Sequence, residues 1–222
     1  PVVGHGVLDM ANGDSELIEE ASSAKITILN LGNEMYESYE NPKSSTNLLE
    51  CNGHKWLGSA NYVATVPENN PALTLAFLAG ANGKVEKLGS GTVGGQTATE
   101  YQFSADLDAA ASEGPNWPGR TILAAVSHPK TQPVQVWITP DGYVAQVRFT
   151  SQLEPFTAST TNNSVINSGL VTTTLTLSDF GSRPNIPPAP NPATVATLAS
   201  CQASPNSTGN SIPITGSTLV NG

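Results

Sequence analysis

Charged residues are scarce in this sequence, and basic residues are the scarcest of them. Asp, Glu, Lys and Arg make up only 12 % of the 222 residues, about half the usual share. Nine Lys and Arg residues oppose eighteen Asp and Glu residues, which gives a net charge of −9. Because nucleic-acid affinity comes largely from basic side chains that neutralise phosphates, this balance argues against a nucleic-acid partner. An anionic membrane surface would repel the chain for the same reason.

Long apolar runs and cysteine clusters are also missing. No stretch of about 18 consecutive apolar residues occurs, so the sequence contains no candidate membrane-spanning segment. The two cysteines, Cys51 and Cys201, are too far apart for a CxxC redox or metal motif. They are either two free thiols or one long-range disulfide. The Ser-, Thr- and Asn-rich composition is typical of an exported protein, where a disulfide persists and would contribute about 5 kcal/mol.

Residue sets that carry catalysis or bind metals are not recognisable. Among the three histidines, His5, His54 and His128, only His54 has a weak partner, because it follows Cys51 by three positions. Residues 89–94 spell GxGxxG, but they lead into a strand-like segment, which favours a hairpin turn over a dinucleotide loop. We expect a protein that is not an enzyme and holds no cofactor or metal. An extracellular enzyme, with two carboxylates brought together by folding, is a lesser alternative.

Alternating apolar and polar residues are abundant. Residues 24–31 and 97–103 alternate, and residues 171–177 continue the pattern. Residues 134–139 and 143–150 flank a Pro-Asp-Gly turn, which is the clearest hairpin signal in the chain. These patterns predict antiparallel strands with one covered face.

Side-chain alternation also predicts which residues share a face of the sheet, and a short apolar segment predicts a helix that covers it. In the second arm of the hairpin, Ala145, Val147 and Phe149 share one face, and Val144 lies on the other. Residues 71–79 start at a proline and stop at Gly80, which predicts a short apolar helix.

Further helices and the large aromatic residues complete this interpretation. The Ala-rich residues 106–112 predict a second helix, and residues 118–127 suggest another. Trp56, Trp117 and Trp137 either pack in the core or line an apolar cavity.

The composition divides the chain into unequal parts. Residues 1–183 carry the strand and helix signals and are expected to form one domain. Residues 184–202 form a Pro-rich connection with a short helix. Residues 203–222 contain no charge and are rich in Ser, Thr, Asn and Gly, which is typical of a linker or a surface segment.

Short motifs follow one another in a recognisable order along the chain. They lie at residues 6–10 (GVLDM), 55–57 (KWL), 70–71 (NP), 85–101, 136–143 (VWITPDGY) and 177–181 (LSDFG). Together they resemble the LppX/LprAFG-type lipoproteins of actinobacteria, which are related in fold to the LolA/LolB carriers. The resemblance covers residues 4–198.

This resemblance implies an α+β, mostly β fold. The expected architecture is a strongly curved antiparallel sheet, a half-barrel, with short helices covering its concave face. An apolar cavity between sheet and helices would accept the acyl chains of a lipid or lipoglycan. The candidate lining residues are Ile26, Ile28, Leu75, Leu78, Tyr101, Phe103, Val147, Phe149 and Leu175.

The resemblance also implies a place and a role for the protein. It implies an extracytoplasmic protein, either in the cell envelope or secreted, that binds or shuttles a lipid. The family's first strand and helix and its lipidated cysteine are not recognisable in this sequence, so a lipid anchor would lie on a preceding segment. The alternative role is a structural or accessory subunit of an extracellular assembly, in which side chains fill the half-barrel. A sheet edge or the tail would then dock onto a protein partner in the envelope.

Overall fold

The structure of this chain is a computed structural model. The described residues are 3–21, 24–40, 54–60, 70–113, 130–153, 156–157, 165–166 and 169–197. They form a six-stranded sheet, a five-stranded sheet and a two-stranded pair. Cys51, Cys201, the suggested helix at residues 118–127 and the tail at residues 203–222 lie outside these ranges, so the disulfide stays a prediction.

The six-stranded sheet is an antiparallel meander with one parallel strand added at its edge. Its strands follow in the order β1-β2-β3-β4-β5-β13, and only β13 pairs in parallel, with β5. The bounds are β1 (Val3–Leu8), β2 (Ser15–Ala21), β3 (Ala24–Leu31), β4 (Glu34–Glu40), β5 (Trp56–Ala60) and β13 (Val195–Thr197). A 3₁₀ turn at Pro192–Thr194 precedes β13, so the Pro-rich connection ends by pairing with the sheet.

The five-stranded sheet is antiparallel throughout and carries the predicted hairpin. Its spatial order is β12-β9-β8-β7-β6. The bounds are β6 (Ala81–Val93), β7 (Gln96–Asp106), β8 (Thr131–Ile138), β9 (Val144–Leu153) and β12 (Gly169–Thr176), and the small pair is β10 (Phe156–Thr157) with β11 (Val165–Ile166). The GxGxxG segment lies in β6 and its turn: Gly94 and Gly95 both have positive φ, as a two-residue hairpin turn requires. The hairpin interpretation is confirmed.

Two short helices cover one face of this sheet. Helix α1 (Pro71–Ala76) starts at Asn70, whose Oδ1 accepts hydrogen bonds from the backbone N–H groups of Ala72 and Leu73. It continues into a 3₁₀ turn, Phe77–Gly80, and helix α2 (Leu107–Glu113) packs beside that turn. A Cβ atom at Gly80 would lie 2.2 Å from the carbonyl oxygen of Asp106 and 2.9 Å from the Cβ of Ala110. Glycine is therefore what lets the two helical segments meet.

The fold is mostly β, with two antiparallel-rich sheets and two short helices, as the sequence predicts. Within the described ranges, neither sheet is closed or strongly curled. The half-barrel therefore stays a prediction. The buried core of the five-stranded sheet lies between that sheet and the helices, and a smaller cluster lies on β2, β3 and β4 of the other sheet.

Candidate functional site: the apolar layer beneath the helices

Most of the predicted lining residues meet in one place. Leu75, Leu78, Tyr101, Phe103, Val147, Phe149 and Leu175 all belong to the apolar cluster between α1, α2 and the five-stranded sheet. We call this cluster the apolar layer. Ile26 and Ile28 do not belong to it, because they pack with Met35 and Tyr39 on the six-stranded sheet.

The apolar layer is tightly packed where the helices cover it. Phe103, Val134 and Phe149 form one row across β7, β8 and β9, and all three are buried. The ring of Phe77 meets the ring of Phe149 edge to face, with 5.0 Å between centroids. This end of the layer is filled by the protein's own side chains.

Burial falls toward the turn between β8 and β9. In the next row, Val136 and Val147 are buried, but the flanking Tyr101 and Leu175 are only half-buried. The last apolar residues, Ile138, Val144 and Leu177, are all half-buried and still pack against the layer. We call Tyr101, Ile138, Val144, Leu175 and Leu177 the rim.

An aromatic pair lies next to the rim in the chain. Tyr143 directly precedes Val144, is half-exposed, and stacks on the ring of Phe180 with 4.7 Å between centroids. The backbone N–H of Leu177 donates to the carbonyl of Ala145 at 2.8 Å, which holds the end of β12 against β9. Leu8, at the end of β1, also packs against the apolar layer and links the two sheets there.

One face assignment made from alternation is wrong. Val144 was expected opposite Val147, but it packs against the same apolar layer. The β8–β9 register shifts between Trp137 and Ile138, so that Trp137 pairs with Gln146 and Ile138 pairs with Val144. Such a bulge places one extra residue in β9, so the side chain of Val144 returns to the face that carries Val147.

Sequence reasoning also missed several members of the layer. The helix residues Leu73 and Phe77 are buried in it, as are Val134 and Val136 of β8. The signal for Val134 and Val136 was present, because residues 134–139 alternate. The signal for Leu177 was also present, because residues 171–177 alternate and place Leu177 on the same face as Leu175. Leu8 and Leu107 had no comparable signal, since each lies at the end or start of an element, where periodicity is lost.

The face of the six-stranded sheet that holds Ile26 and Ile28 also carries two carboxylates. Glu19 pairs with Ile26, and Glu37 pairs with Ile28, so both glutamates share that face. Burial raises the pKa of both glutamates, and the charge of Glu37 raises the pKa of Glu19 further. The Tyr39 hydroxyl donates to the Glu37 carboxylate at 3.1 Å and favours its ionised form. A face with two carboxylates is a poor site for an acyl chain.

Nearby, on the opposite face of β4, Tyr36 donates its hydroxyl hydrogen to the Glu34 carboxylate. This hydrogen bond, assisted by burial and by the charge of Glu34, raises the pKa of Tyr36 to about 12. The tyrosine is therefore neutral at physiological pH and acts as a donor.

Metal sites, membrane-spanning helices and the three tryptophans were the other features to check in the described ranges. Among them, no three His, Cys, Asp or Glu side chains come together as a metal site. No helix in that part of the chain has the length and apolar character needed to cross a membrane. Trp56 and Trp137 are half-buried and belong to neither apolar cluster, and Trp117 lies outside the described residues.

Comparison with solved structures yields a distant likeness to a lipoprotein. No family model and no curated protein matches the chain. Among solved structures, the crystal structure of the lipoprotein LppX from Mycobacterium tuberculosis matches with a TM-score of 0.30 and 13 % identity. The match covers 67 % of this chain and 75 % of that one. A likeness at this level is too distant to assign a family or a function to this chain.

Proposed function

We propose that this protein is a non-catalytic, extracytoplasmic protein that binds the acyl part of a lipid or lipoglycan along the rim. The observation that supports it is the graded burial of one continuous apolar layer, which is filled under the helices and half-buried at Ile138, Val144 and Leu177. The acidic, Ser/Thr/Asn-rich composition fits a place in the cell envelope or outside the cell.

The rim suits an acyl chain better than a polar ligand. Its side chains are aliphatic, apart from Tyr101, and each buried CH₂ of a chain lying on them contributes about 0.8 kcal/mol. Tyr143, which directly precedes Val144 of the rim, stacks on the ring of Phe180. Tyrosine offers an apolar ring and a polar hydroxyl, which suits the boundary between an acyl chain and its headgroup.

Fluorescence titration with cis-parinaric acid tests this proposal. Leu177→Gln places an amide in the rim and should weaken binding about tenfold, the effect of losing roughly half of a buried leucine side chain. Leu170→Gln is the matched control, because Leu170 is 67 % exposed on the same edge of the sheet. It should bind the probe with the same affinity as the wild-type protein.

Two results would contradict the proposal. One is a titration in which the unchanged protein takes up no probe, or in which Leu177→Gln and Leu170→Gln bind equally well. The other is a native mass spectrum of protein purified from its own source that shows only the bare chain.

The packed end of the layer favours a second candidate function, that of a structural or accessory subunit. Val147 and Phe149 were expected to line a cavity, yet they are 0 % and 3 % exposed. If the whole layer is a filled core, the protein acts through a surface, and a protein partner should co-purify with it when no lipid does.

A further inference from the structure

The five-stranded sheet has a second face, which points away from the apolar layer. On β7, β8 and β9 this face carries Gln102, Gln135 and Arg148, which are opposite one another in register. Thr174 of β12 extends the row beside Arg148. These side chains alternate with the buried Phe103, Val134 and Phe149, so they stand on the outer side of the same strands.

A groove crosses this outer face. It has a volume of about 270 Å³ and is lined by the side chains of Gln102, Pro133, Gln135, Arg148 and Thr150. Val134 and Phe149 also border it, but their side chains are buried on the inner face, so they contribute backbone. The groove is therefore polar on its walls, in contrast to the rim.

Pro133 explains why the sheet opens here. The register of β8 with β9 runs from Ile138 to Val134 and ends before Pro133, which has no N–H to donate. The Gln132 side chain instead donates from Nε2 to the carbonyl oxygens of Pro133 and Thr150, at 3.1 and 3.0 Å. The Gln132 side chain thus takes the place of a backbone hydrogen bond between β8 and β9. The carbonyl groups of Pro133 and Thr150 are hydrogen-bonded in this way, and the groove stays open.

Arg148 is the charged group of the groove. Within the described part of the chain, no carboxylate lies within ion-pair distance of its guanidinium. The neighbouring Gln135 donates to Glu100 at 3.2 Å, and Thr150 shares a hydrogen bond with Thr172 at 2.9 Å. In a chain with a net charge of −9, a guanidinium left open toward a groove is suited to an anionic group of a ligand.

The remaining lining suits hydroxyl groups and a sugar ring. The amides of Gln102 and Gln135 can each donate and accept, as hydroxyl groups require. Trp137 is two residues from Gln135 on the same outer face of β8 and is half-buried. It is not one of the residues that line the groove, so it would meet only a sugar that extends beyond the groove toward the β8–β9 turn. The C–H face of a pyranose ring packs well against an indole ring.

Two other ligand classes fit less well. A peptide strand has no free sheet edge to extend here, because β8 and β9 are interior strands of the sheet and the carbonyl groups of Pro133 and Thr150 already accept from Gln132. A nucleic acid would need several basic groups, and this groove contains one. The geometry points to a binding site on the outer face for an oligosaccharide that carries a carboxylate or phosphate group, with Arg148 on the acidic group.

NMR titration of the full chain with three probes tests the site. Trigalacturonate should shift the amide signals of β7, β8 and β9, and its methyl ester, which has the same rings without the charge, should bind about tenfold more weakly. Inorganic phosphate should bind more weakly than trigalacturonate, because it lacks the sugar rings. A hyaluronan tetrasaccharide provides a second acidic sugar.

The variants locate the binding. Arg148→Gln should weaken trigalacturonate binding about tenfold and leave the methyl ester unaffected. Arg183→Gln is the matched control, because Arg183 is exposed and does not line the groove. Gln102→Ala should weaken both the acid and the ester, since it removes an uncharged contact.

Three results would contradict the proposed saccharide site. The first is that neither acidic oligosaccharide shifts these signals at millimolar concentration, and the second is that Arg148→Gln and Arg183→Gln bind trigalacturonate equally well. Phosphate binding as tightly as trigalacturonate would mean a simple anion site and would remove the saccharide. The parinaric acid titration reports on the opposite face of the sheet, so the two proposals succeed or fail separately.

Discussion

Replacing Phe149 with alanine measures whether the space beneath the helices is filled. Phe149 is 3 % exposed, and its ring lies edge to face with that of Phe77 at 5.0 Å. Removing a ring so enclosed loses its transfer free energy and leaves a cavity, so the free energy of unfolding should fall by about 3–5 kcal/mol. For a chain of this length, that loss corresponds to a Tm lower by roughly 6–20 °C.

The energy of the ring contact with Phe77 can be separated from the energy of burying Phe149. In a double-mutant cycle with Phe77→Ala, the coupling between the two rings should be about 0.5–1.5 kcal/mol, the usual worth of an aromatic pair beyond its buried area. Urea denaturation followed by far-UV circular dichroism gives all the values. Thr174→Ala is the control, since Thr174 is exposed on the other face and should change stability by less than about 0.5 kcal/mol.

The outcome bears on function as well as on packing. A loss below about 1.5 kcal/mol would refute the description of a filled core, since truncating an enclosed phenylalanine ring to alanine costs about 3–5 kcal/mol. The ring would then border open space, and an acyl chain could reach further under the helices than the rim. A full loss limits any apolar ligand to the half-buried residues near the β8–β9 turn.

Three further substitutions test the fold. Glu37→Gln should stabilise the protein at pH 7, because burial penalises the ionised carboxylate. Since the pKa of Glu37 is raised on folding, the gain measured by urea denaturation should appear as pH rises through 4.5 and vanish below it, and a gain that persists at low pH would contradict this. Ser38→Ala should leave stability unchanged or raise it by up to about 1 kcal/mol, because the buried Ser38 Oγ has no hydrogen-bond partner among the residues that the structure describes. A thermal melt showing a clear loss would contradict this. Gly80→Ala should cost about 1–3 kcal/mol through its clash with Asp106, whereas at Gly89, with nothing within 4 Å of a Cβ, the same change should be nearly neutral in differential scanning calorimetry.

The sequence by itself determined the local structure well. Alternation located the strands, the Pro-Asp-Gly and Gly-Gly turns located two hairpins, and the proline and glycine around residues 71–80 bracketed α1 and its 3₁₀ turn. These features depend on neighbours within a few residues, so their signals are contained in the sequence. The same alternation placed Val147 and Phe149 on one face of their strand, and Tyr101 and Phe103 on one face of theirs, and all four residues belong to the apolar layer.

Only the tertiary structure decided which faces are covered and by what. Ile26 and Ile28 alternate as clearly as Val147 and Phe149, but they lie on another sheet beside Glu19 and Glu37, because strand pairing is set by contacts distant in sequence. The bulge after Trp137 reversed the face of Val144, and it depends on the register of two strands rather than on either one alone. The groove around Arg148 likewise exists only because three strands bring Gln102, Gln135 and Thr150 beside it.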